Sequence, residues 1–167
     1  LTEGKMKVDK IITKDKEFKL SDKLSKEISD ILGFANEAIV EHKEGIDVFH
    51  GRPTDKAIMQ RAIASEFNLK CSLKKHPRLA MLPFNRNRKY IASFHKKNKE
   101  KIEVFVAGAP EVILYNSILS EKTIKDLTEK YEALAQKSFR VIAIAHREFS
   151  SNLLSKDLKN EELEKQI

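Results

Sequence analysis

The chain has 167 residues and a mass of 19.2 kDa; it is 41% hydrophobic and 34% charged, with five Gly and four Pro. That length can bury a core, and the balance excludes a disordered or low-complexity linker, so one folded domain is expected. A net charge of +7 invites phosphate-rich partners, yet 25 of the 32 basic residues are Lys, interleaved with Glu and Asp around residues 19–26 and 96–101 as on solvated faces, so no nucleic acid is expected.

Residues 6–12 offer a short strand with the β-branched pair Ile11 and Ile12, followed by a charged turn at 14–16. Ser21 is a candidate cap for a helix whose stripe runs through Leu24, Ile28, Ile31, Leu32, Ala35 and Ile39. Residues 45–51 read as a loop. Pro53, Thr54 and Asp55 then supply helix-start chemistry for a helix carrying Ala57, Ile58, Ala62, Ile63 and Phe67. Strands are predicted at 79–84, 90–95 and 102–106, the last two joined by a charged hairpin loop at 96–101. Pro110 opens a short helix through Tyr115, and Ser120 caps another with Ile124, Leu127, Tyr131 and Leu134 on one face. Residues 139–145 read as a buried strand, and 153–167 as a charged, weakly helical ending. Strands and helices without strict alternation predict an α+β fold, an antiparallel β-sheet flanked by helices.

No run approaches the roughly 18 apolar residues of a membrane helix, so no membrane-spanning helix is expected in this sequence. Cys71 is the single cysteine, which leaves no internal disulfide and favours a cytosolic setting. The five histidines are scattered without metal-ligand spacing, the glycines fit neither a P-loop nor a dinucleotide fingerprint, and no nucleophile elbow occurs. No metal site and no catalytic residue are expected.

Four segments stand out in order: Gly51-Arg52-Pro53-Thr54-Asp55-Lys56-Ala57, Pro83-Phe84-Asn85-Arg86-Asn87-Arg88-Lys89, Ala107-Gly108-Ala109-Pro110-Glu111-Val112-Ile113-Leu114, and Phe139-Arg140-Val141-Ile142-Ala143-Ile144-Ala145. Together, over residues 1–149, they resemble the nucleotide-binding domain of P-type cation-transporting ATPases, in the subgroup of calcium and sodium/potassium pumps. Leu1-Thr2-Glu3-Gly4-Lys5-Met6 resembles the stretch after that family's phosphorylated aspartate, so the chain is read as an excised piece, with 150–167 a charged linker or helix leading toward a phosphorylation domain. The resemblance implies a cytoplasmic domain of an integral membrane pump. It would bind ATP for transfer to an aspartate in a neighbouring domain, with phosphorylation, actuator and transmembrane domains as partners. Mg²⁺ would act only in the full-length enzyme, and the isolated domain would be a monomer without catalysis of its own.

By the same resemblance Phe84 stacks on adenine, Asp55 accepts from the base edge, Arg86, Lys89 and Arg140 face the phosphates, and Gly108 allows close approach of the ligand. Read as residues alone, Phe84 can equally be a core aromatic, Asp55 a helix-dipole acid, Arg86 and Lys89 solvated charges, and Gly108 a simple turn. Ala107 departs from the family pattern, which has Lys before Gly-Ala-Pro-Glu; the lost cation would weaken binding by about 1.5–3 kcal/mol. His76-Pro77 resembles the heavy-metal pumps' His-Pro pair but precedes the segment ending in Phe84, and is set aside. Two alternatives stay open: an interaction domain with a degraded nucleotide pocket, and a basic nucleic-acid-binding module.

Overall fold

Strand pairing is antiparallel at every ladder among the described residues of the computed structural model, which are 5–153 and 160–167. The sheets are flanked by helices, an α+β fold as the sequence predicts. Residues 1–4 of the amino-terminal segment, and 154–159 of the charged ending, lie outside the described residues. The chain divides into two compact units, Leu1–Ser72 and Leu73–Ile167.

The first unit begins with a hairpin of β1 (Lys10–Ile12) and β2 (Glu17–Lys19). Its charged turn is closed by the Thr13 amide donating to the Lys16 carbonyl at 2.8 Å. Helix α1 (Lys26–Phe34) starts at Ser25, whose hydroxyl accepts from the Ile28 amide, and not at Ser21. The reason is local: the Asp22 carboxylate takes the Lys19 amide at 2.9 Å and holds that stretch in a turn. The helix also stops short of Ile39. Asn36 is buried, with its side-chain oxygen accepting from the Ala38 amide at 2.7 Å and its amide donating to the Asp55 carbonyl at 3.0 Å.

Ile39 instead opens β3 (Ile39–Lys43), and residues 45–51, expected as a loop, contain β4 (Ile46–His50). The two-residue link Glu44 and Gly45 has φ of 50° and 81°, the left-handed turn that matches strand twist. Helix α2 (Pro53–Ile63) begins where Pro53, Thr54 and Asp55 predict. It ends before Phe67 because Glu66 turns left-handed (φ 68°), with the Phe67 amide donating back to the Ala62 carbonyl at 3.1 Å. Phe67 then packs edge-on to Phe34, ring centroids 5.4 Å apart, in space that a side chain on Gly33 would fill. With Leu24, Ile31, Leu32, Ile58, Met59 and Ala62 they form this unit's buried apolar set. The boundary between units falls within helix α3 (Leu69–Lys75), which the sequence reading did not anticipate.

The second unit is built on a four-stranded meander, β5 (Arg78–Leu82), β6 (Tyr90–Lys96), β7 (Lys101–Gly108) and β8 (Ala143–Ser150). Leu82, Ala92, Phe94, Ile102, Val104, Val106 and Phe149 point to one face and share a core with Ile113 of helix α4 (Pro110–Tyr115) and Leu163 of helix α6 (Asn160–Lys165). Leu163 is only 1% exposed, so part of the charged ending packs into this core. Helix α5 (Glu121–Gln136) is capped by Ser120, as predicted. It ends in a Schellman motif with Ser138 at φ 64° and the Phe139 amide donating to the Leu134 carbonyl at 3.1 Å. Residues 139–142 therefore precede the last strand instead of forming it. Phe139 and Arg140 are exposed, and β8 starts at Ala143, in register with Gly108.

Candidate functional site

The meander brings most of the candidate residues to one end of its sheet. Phe84 lies just past the end of β5, Lys89 just before β6, Ala107 and Gly108 end β7, and Arg140 approaches the start of β8. The ladder pairs Tyr90 with Gly108 and Gly108 with Ala143, so these ends meet. Arg86 sits in the same connection as Phe84 and Lys89. Asp55 belongs to the first unit.

The connection from Pro83 to Lys89 is tied down by its own polar atoms. The Asn87 amide donates to the Asn85 side-chain oxygen at 2.7 Å, and the Lys89 amide to the Asn85 carbonyl at 2.7 Å. Lys89 completes the turn in the left-handed region, φ 61°, and its carbonyl accepts from the Ala109 amide at 2.9 Å. Arg88 is consumed by structure, donating to the Pro83 carbonyl at 2.9 Å and to Glu164 at 2.7 Å. Phe84 is 41% exposed on this turn, which is unlike a core phenylalanine. Arg86 and Arg140 are exposed, and neither side chain enters an ion pair among the described residues.

Lys89 does have a partner that the sequence reading overlooked. Its ammonium lies 3.1 Å from Glu111, at the second position of α4, with both side chains about half exposed. The Glu111 carboxyl is held below the ordinary range, first by its own backbone amide and then by Lys89. The signal was an acid following Pro110 at a helix start, inside a quoted motif.

Gly108 is small for a reason that its own sheet supplies. A Cβ there would stand 2.5 Å from the Lys89 carbonyl oxygen and 2.7 Å from the Tyr90 Cα. The neighbouring backbone occupies the space that a side chain would take. Ala107 is 4% exposed, paired with Ile91 on one side and Ile144 on the other. Asp55, in its own unit, is buried near the start of α2, and its carboxylate accepts from the Arg52 Nε at 2.7 Å. This is the helix-start arrangement that its residue chemistry permits.

On the face of the sheet opposite the shared core, Ser93, His95 and Phe105 are buried. The His95 Nδ1–H donates to the His76 carbonyl at 2.9 Å, so Nε2 accepts from the Ser93 hydroxyl at 2.7 Å. Burial pushes the imidazole down to about 4, leaving it neutral. A cleft of about 560 Å³ is lined by Asp9, Lys10, Glu17, Lys19, Leu20 and Ser21, and one of about 220 Å³ by Glu100, Lys101, Glu148, Phe149 and Ser150; none of the candidate residues lines either. Among the described residues no group of three or more His, Cys, Asp or Glu is placed to hold a metal ion, and no helix is long and apolar enough to cross a membrane.

Residues 24–167 match the family model described as P-type ATPase, cytoplasmic domain N. The chain belongs to that family. As an N domain it is similar to calcium-transporting ATPase 1 of Lactococcus lactis, 29% identical over 121 residues, covering 66% of this chain and 14% of that protein. It is also similar to an Arabidopsis thaliana protein named calcium-transporting ATPase 11, plasma membrane-type, 24% identical over 119 residues, or 65% of this chain and 12% of that protein. The N domain thus spans a small fraction of the curated relatives it matches.

Proposed function

We propose that this N domain holds ATP at the end of the second unit's sheet, with the adenine ring on Phe84 and the phosphates toward Lys89, Arg86 and Arg140. The observation that carries the reading is the company of Phe84. A large aromatic ring, 41% exposed, stands on a hydrogen-bonded turn beside an exposed guanidinium and a lysine fixed in the left-handed conformation. Base stacking on such a ring contributes about 1–3 kcal/mol. With the exposed cations, total binding on the order of 4 kcal/mol corresponds to roughly millimolar affinity. Ala107 supplies no cation, consistent with a weak site.

In the full-length protein the domain would present the γ-phosphate to an aspartate of a neighbouring domain, and aspartyl-phosphate formation would drive cation movement across a membrane. The names of the relatives favour calcium as the cation. Magnesium would be held where the phosphoryl group is transferred, and this chain's contribution is position. The base-edge role expected of Asp55 is a separate proposal, because Arg52 already engages its carboxylate.

Saturation-transfer NMR tests the stacking: the adenine H2 and H8 protons of ATP should receive saturation from the wild-type chain and lose it with Phe84→Ala. Equal transfer to both proteins would refute the role given to Phe84. Retention of a short oligonucleotide that weakens steeply with salt and survives Phe84→Ala would instead favour the nucleic-acid alternative.

A further inference from the structure

We infer that Glu111 is a built-in competitor of the nucleotide's phosphates for the Lys89 ammonium, and so sets the domain's affinity according to the charge of the phosphate tail. The inference rests on the ATP reading. It starts from the pair itself, Lys89 Nζ to Glu111 Oε1 at 3.1 Å, the ion pair formed by Lys89 among the described residues. Lys89 is anchored at its backbone. Its φ of 61°, its amide bond to the Asn85 carbonyl and its carbonyl bond to the Ala109 amide fix the root of the side chain.

The Glu111 backbone is placed as well, because it sits in the first turn of α4 directly after Pro110. The two roots are joined by the Ala109 amide donating to the Lys89 carbonyl. A phosphate reaching Lys89 therefore either displaces a carboxylate or binds beside one. Displacement forfeits the ion pair, and binding beside the carboxylate meets a like-charge repulsion that grows with the charge of the tail. A neutral nucleoside stacked on Phe84 would not meet it.

Both partners are about half exposed, so solvent and salt limit the effect. Glu111→Gln keeps a hydrogen-bonding side chain at the start of α4 but removes the charge. It should tighten ATP roughly 1.5- to 5-fold, ADP by less, and leave adenosine unchanged. The experiment is an NMR titration of wild type and Glu111→Gln with adenosine, ADP and ATP at low salt, with matching amide fingerprints verifying the fold. A gain graded with phosphate charge is the expected result. ATP binding that is unchanged or weaker in Glu111→Gln, while Phe84→Ala still abolishes adenosine binding, overturns this inference and leaves the ATP reading standing. Absence of both ATP and adenosine binding in wild type overturns both.

Discussion

Adding one methyl group to Gly108 tests how this end of the sheet is assembled. In Gly108→Ala the new Cβ would stand 2.5 Å from the Lys89 carbonyl oxygen and 2.5 and 2.7 Å from the Tyr90 Cβ and Cα. These are mainly backbone and near-backbone atoms, so no flexible side chain can swing away. Either β6 and β7 separate at the Tyr90 and Gly108 pair or the turn from Asn85 to Lys89 moves. Overpacking of this kind costs about 1–3 kcal/mol. Loss of the hydrogen bond from the Ala109 amide to the Lys89 carbonyl, 2.9 Å, adds about 1 kcal/mol. The expected destabilisation is therefore about 2–4 kcal/mol, assayed by urea unfolding followed on resolved amide signals of β6 and β7. Lys89 and Phe84 amides should shift in the folded variant as well. A stability within about 0.5 kcal/mol of wild type, the range of an ordinary surface substitution, would refute the claim that backbone contact is what requires glycine here.

Three other expectations follow from single contacts. Because the neutral His95 imidazole is depressed to about 4 from 6.5, the unfolded chain takes up the proton first. The stabilisation is present above pH 6.5 and is lost as pH falls toward 4, a change on the order of 3 kcal/mol; His95→Gln should flatten that part of a stability-against-pH curve. Ser138→Gly should stabilise the second unit by about 0.5–1 kcal/mol in thermal unfolding, since Ser138 holds φ 64° at the end of α5. Ala107→Lys should strengthen ATP binding about tenfold or more through a charge-assisted contact while lowering stability, because the position is 4% exposed between Ile91 and Ile144; an NMR titration paired with urea unfolding separates the two effects.

What the sequence disclosed depended on whether the deciding interaction was local. The β6–β7 hairpin was legible because a charged loop separates two apolar runs, and α5 because Ser120 precedes a clear stripe. The β3–β4 hairpin was missed because Glu44-Gly45 lacks the usual Asn or Asp before Gly, although its φ values are those of a two-residue turn. The last strand was placed too early because His146, Arg147 and Glu148 look like loop residues. In the structure His146 stacks on Phe105, and Glu148 pairs with Lys97 and Lys101, so a charged strand is satisfied at the sheet's edge. Helix α1 was extended to Ile39 because nothing local announces that Asn36 bonds to the Asp55 carbonyl nineteen positions away.

The candidate site was legible only as a set of motifs. Their common location depends on the register of β6, β7 and β8, which no spacing reveals. Gly108 has a reason within its own sheet, the Lys89 carbonyl beside it, that no motif announces, and Arg88 is structural through Pro83 and Glu164. Glu111 went unremarked because an acid after Pro110 reads as ordinary helix-start chemistry.

The most direct test of ATP binding is a titration of the isotopically labelled chain with ATP, following backbone amide shifts up to about ten millimolar, well above the roughly millimolar affinity expected. Saturable shifts concentrated at Phe84, Arg86, Lys89, Gly108 and Arg140 are the predicted result. No saturable shifts, or shifts confined to other parts of the chain, would contradict the nucleotide site proposed for this N domain.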